Sequence, residues 1–174
     1  MLVIVDADAL IATSVPSDSN HAIAESIIRS CQAQKVHYII PSTAVCEAIT
    51  VLHSRKANAK RELQKIQSKN PVAEKERQEL QRQKAKAQQD LAIYTPALDF
   101  LLHFINTAKV RYQSIDKEIV FEAMAKFKSD GPKSDSIFDA IVAVLAIRYD
   151  ADAVFSFDHV YPTMGLRLAK DLFP

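Results

Sequence analysis

Four carboxylates stand where chemistry is possible. Asp6 directly follows the apolar run Leu2-Val3-Ile4-Val5, Glu47 interrupts the apolar stretch 44–52, Asp139 falls in the first turn of the run 137–149, and Asp158 closes the run 153–157. The chain offers no other reactive constellation. It has no GxSxG elbow and no CxxC pair, and its two glycines, Gly131 and Gly165, leave no GxGxxG or GxxxxGK[ST] phosphate loop. Gathered in one cleft, the acids would repel by roughly 4 kcal/mol per pair at 4 Å and an effective dielectric of 20. Raised pKa values or a bound cation must offset that, and an all-oxygen donor set points to Mg²⁺ or Mn²⁺. Such an ion suits phosphodiester hydrolysis, because it activates water and neutralises charge growing on the phosphate.

Each acid also has a plainer reading. Asp6 and Asp158 follow strands, where Asp commonly caps a helix or starts a turn. Ser136 three residues before Asp139 resembles a capping box. Glu47 fits the polar side of a helix, and Asp8 is expected to face solvent from a turn. His159, next to Asp158, is a possible general base, but a neighbour of a strand-end ligand usually points elsewhere. The acids gain weight only if the fold assembles them.

The elements that would do so are legible from periodicity. Strands are expected at Leu2 to Val5, Val36 to Ile40, Val110 to Ile115 and Ala153 to Phe157. Helices are expected at 21–32, after Pro41 with Ser42 or Thr43 as cap, at 96–109, at 116–128 and at 137–149, with a last short helix or edge strand in 166–173. Strands alternating with helices predict a three-layer α/β/α domain with a mainly parallel sheet of four or five strands. Such sheets collect ligands outside the carboxyl ends of their strands.

With 174 residues, 48% of them apolar, the chain is expected to form one domain over 1–174. Cys31 and Cys46 signal no disulfide framework and are expected to be buried thiols. The start, MLVIVDADALIA, carries acids within its apolar run and does not resemble a signal peptide, and no run is of membrane-spanning length, so a cytoplasmic protein without a membrane partner is expected. Net charge is +1, yet residues 54–90 hold eleven Lys/Arg against five Asp/Glu. This predicts a charged helical insertion at about 54–93, two segments broken near Asn70-Pro71. It is either a solvated arm or a surface for RNA phosphates or a second subunit.

VIVDADALI, Glu47, the DAIVAVLA helix opened by Asp139 and FSFDHVYPTMGL with Asp158 together resemble the PIN domain family. The resemblance covers the chain outside the arm. It implies a metal-dependent endoribonuclease in which Asp6, Glu47, Asp139 and Asp158 bind Mg²⁺ or Mn²⁺ and cut RNA. It further implies Asp135 and Ser156 as supporting residues, and a bacterial toxin partnered by a protein antitoxin, with a homodimer possible. Two rivals remain. One is a PIN-like module that binds RNA or protein without cutting. The other is a phosphatase of the haloacid dehalogenase type with Asp6 as nucleophile and Asp8 as acid, although its late Gly-Asp element is missing.

Overall fold

The computed structural model describes residues 1–69, 74–107, 109–130 and 136–173. Four strands form one sheet: β1 (Leu2–Val5), β2 (His37–Pro41), β3 (Val110–Gln113) and β4 (Ala153–Phe155), in the order β3-β2-β1-β4 and parallel throughout. β1 and β4 are apolar from end to end because both faces of the sheet are covered. Alternation assigns the faces. Val3, Val5, Tyr38, Ile40 and Phe155 enter one core with α1 (Ala7–Ser14), α2 (His21–Ala33), α3 (Ser42–Gln67) and α4 (Glu74–Ile105). Ile4, Ile39 and Val154 enter the other with α5 (Lys117–Asp130) and α6 (Ile137–Arg148). This is the expected three-layer α/β/α architecture, with four strands. Two short helices, α7 (Val160–Thr163) and α8 (Ala169–Leu172), complete the described chain.

The connections from β1 to β2 and from β2 to β3 step in one direction, whereas β4 lies on the far side of β1. The winding therefore reverses between β1 and β4, and their carboxyl ends open a crevice there. Asp6 leaves β1 at that edge, and Ser156 to Asp158 leave β4 beside it. α6 adds a third contributor. It buries Ala140 to Ala146 without interruption, so its first turn is fixed against the sheet.

α1 begins directly after Asp6, which caps it as the plainer reading of that residue had it. Several sequence expectations need correction. α3 has Pro41 as its N-cap, without a side-chain bond from Ser42 or Thr43, and the Thr43 hydroxyl is buried without a partner. No separate helix starts at Pro96. α4 runs 32 residues, about 48 Å, straight through it. Burial of Ala97, Leu101 and Phe104 against the core outweighs the roughly 3 kcal/mol that an interior proline costs. Cys31 is buried as expected, but Cys46 is exposed.

The basic segment is the far part of α3 packed along the near part of α4, with Ala59 and Ala87 buried between them. The break expected near Asn70-Pro71 lies outside the described residues. At about 100° per residue, Lys56 and Lys65 stand opposite each other on α3, and Lys84 and Lys86 nearly so on α4. Cations that ring the helices favour a solvated arm over a single phosphate-facing stripe. Among the described residues no helix is long and apolar enough to cross a membrane.

Candidate carboxylate site

Asp6 ends β1 and caps α1. Its N–H donates to the Phe155 carbonyl at 3.0 Å, joining β1 to β4 at the crevice. Oδ1 accepts the Ala7 N–H at 2.7 Å. Oδ2 accepts the Tyr161 hydroxyl at 2.7 Å and lies 3.2 Å from Ser156 Oγ. The residue is 8% exposed. Burial above all, then the charge of Asp8, pushes its carboxyl up to about 7; Tyr161 and the Ala7 N–H pull it down, and Asp139 adds to the rise.

Glu47 is half-buried on α3. Burial and the charges of Asp6 and Asp139 raise its carboxyl. Asp139 forms the reciprocal cap of α6: Ser136 Oγ accepts its N–H at 3.2 Å, and its Oδ2 accepts the Ser136 N–H at 2.8 Å. The capping reading is therefore correct, and it does not remove Asp139 from the site, since its charge acts on both Asp6 and Glu47. Asp158 is exposed and forms a turn, with Oδ1 accepting the Val160 N–H at 3.0 Å. Its charge raises Asp8.

The fold thus brings Asp6, Glu47 and Asp139 within reach of one another's charge, and Asp158 joins them through Asp8. Among the described residues no three His, Cys, Asp or Glu side chains stand close enough to ligate one metal ion. The donor chemistry nevertheless fits a hard divalent cation. Every acid offers oxygen, Asp6, Asp8 and Glu47 have raised carboxyls, and Asp8 Oδ1 is buried with no hydrogen-bond partner. A positive charge relieves each of these costs.

Asp8 departs from its expected place. It does not face solvent: Oδ2 accepts the Ser156 hydroxyl at 3.0 Å and the Phe157 N–H at 2.8 Å. Burial, with the charge of Asp158 contributing, raises it. Ser156 is buried, with its hydroxyl between the carboxylates of Asp6 and Asp8. Asp135 lies outside the described residues. His159 is exposed at the start of α7, without a side-chain cap bond.

Tyr161 is the residue that sequence reasoning missed. The usable signal was a tyrosine three residues after Asp158, since a buried tyrosine usually finds a partner for its hydroxyl. Tyr161→Phe keeps the ring and deletes the donor. At pH 8, with Asp6 ionised, losing a hydrogen bond to a charged group is expected to cost on the order of 2 kcal/mol, and less at pH 5. Urea unfolding of the variant at the two pH values checks this.

A parallel sheet between two helical layers, with acids at its switch point, is a PIN-like α/β fold. Among solved structures, Mycobacterium tuberculosis VapC20, a toxin that cleaves the sarcin-ricin loop, shares it with a TM-score of 0.64 and 13% identity. The match covers 94% of this chain and 95% of that one. No protein-family model and no curated protein matches the chain.

Proposed function

We propose that the chain is a metal-dependent endoribonuclease of the PIN type. One observation carries the reading: Asp6, Glu47 and Asp139 meet electrostatically at the switch point of a PIN-like sheet, with Asp158 beside them. These four carboxylates would hold Mg²⁺ or Mn²⁺. When bound, the ion supplies a polarised water and neutralises charge on the scissile phosphate. The chain's own part is to fix the acids: Tyr161 and Ser156 hold Asp6, the capping box holds Asp139, and α3 presents Glu47. The likeness to VapC20, a toxin that cleaves the sarcin-ricin loop, supports RNA as the substrate class; a protein antitoxin as partner and action in the cytoplasm are part of the same proposal.

Purified protein with Mn²⁺ is expected to leave 3′-hydroxyl and 5′-phosphate ends, because water rather than a ribose 2′-hydroxyl attacks. Mass spectrometry of the fragments, with and without EDTA, tests this. Cyclic phosphate ends, or cutting that survives EDTA, refute it. The second reading is a module that binds RNA without cutting. Retention of labelled RNA with no cleavage in Mn²⁺ would establish that one.

A further inference from the structure

Resting on the ribonuclease reading, we infer that Asp8 is a positioning residue: it clamps the Ser156–Asp158 segment onto the first turn of α1 and so sets where the Asp158 carboxylate stands relative to Asp6. The bonds run in series. Asp8 Oδ2 takes the Phe157 N–H at 2.8 Å and lies 3.0 Å from Ser156 Oγ. Ser156 Oγ in turn accepts the Asp158 N–H at 3.0 Å. Asp158 then folds its own carboxylate back onto the Val160 N–H.

β4 itself ends at Phe155, so its pairing with β1 stops one residue before this segment. Beyond that point the described hydrogen bonds holding Ser156 to Asp158 against the start of the chain come from the carboxylates of Asp8 and Asp6. The hydroxyl of Ser156 has one proton and two acceptors, Asp8 Oδ2 at 3.0 Å and Asp6 Oδ2 at 3.2 Å. Without Asp8 the Phe157 N–H loses its acceptor, and Ser156 keeps only the longer contact. Asp158, exposed and turn-bound, has little else to locate it. Asp8 need not touch substrate to act in this way, since groups that orient a ligand are worth about 10–100-fold in metal affinity or activity.

The test compares Asp8→Ala, Asp8→Asn and Ser156→Ala by amide hydrogen exchange, Mn²⁺ titration calorimetry and RNA cleavage. Asp8→Ala is expected to speed exchange at Phe157 and Asp158 about tenfold with β1 and α6 amides unchanged. It should also weaken Mn²⁺ binding about tenfold and lower kcat with little change in RNA KM. Asp8→Asn retains an acceptor oxygen and should restore amide protection and most of the affinity. Ser156→Ala should expose the Asp158 amide but not that of Phe157, and it carries the test if Asp8→Ala does not fold. Unchanged exchange in Asp8→Ala, or a loss in Asp8→Asn as large as in Asp8→Ala, overturns the clamp. If the wild-type chain neither binds Mn²⁺ nor cuts RNA, the ribonuclease reading fails, while the exchange pattern still decides whether the clamp exists.

Discussion

Asp6→Asn is expected to cut RNA roughly a thousandfold more slowly than the wild-type chain in Mn²⁺, yet to unfold at a higher temperature at pH 8. The two effects share a cause. Asparagine is a good N-cap, so its side-chain oxygen retains the Ala7 N–H, and the Tyr161 hydroxyl can turn to accept from the new amide. What disappears is a buried negative charge that Asp8 and Asp139 repel. Removing it relieves the metal-free fold and takes away the most enclosed oxygen donor of the site. Single-turnover cleavage of end-labelled RNA beside thermal unfolding measures both quantities. Wild-type cutting by the variant would end the carboxylate-site reading.

The second large effect is on stability against pH. In the metal-free protein, Asp6 titrates at about 7, against 3.8 for an ordinary aspartate. Between those values the folded chain keeps a proton that the unfolded chain has released. Asp6 thus contributes stability that is complete below the unfolded value and gone once pH has risen through the folded one, on the order of 4 kcal/mol in all. Asp8 and Glu47, also raised, act in the same direction. The difference in unfolding free energy between wild type and Asp6→Asn, followed in urea from pH 4 to pH 8, isolates this term. The wild type should lose ground to the variant as pH rises, and saturating Mn²⁺ should flatten the trend. A difference that stays constant across the range excludes a raised Asp6.

Much of this arrangement was readable in the chain. The strands announced themselves because a parallel strand covered on both faces is apolar throughout, and Leu2-Val3-Ile4-Val5 and Ala153-Val154-Phe155 have no polar residue to disguise it. Asp6 and Asp139 were legible because the ends of such elements are local features. Asp8 was not. Its partners Ser156 and Phe157 lie 148 and 149 residues away, and nothing near Asp8 in sequence signals them. The short α1, buried at every position but Asp8, lacks the two-sided pattern by which a helix is recognised, so the position of Asp8 gave no signal either. Pro96 misled for the opposite reason: a strong local signal was overruled by packing of the residues that follow it. Asp139 shows that two readings of one residue need not compete, since one carboxylate caps a helix and acts on the site together.

The pairing of β1 with β4 also places the site in time. Ser156 and Asp6, whose side chains meet, are separated by 150 residues. At about 5–20 residues per second, a ribosome takes roughly 8–30 s to travel from one to the other. Throughout that interval β1 lacks its β4 neighbour, and Asp6 has neither Tyr161 nor Ser156 to bond. Nascent chains, although synthesised against RNA, carry an unassembled site until β4 is made and docks.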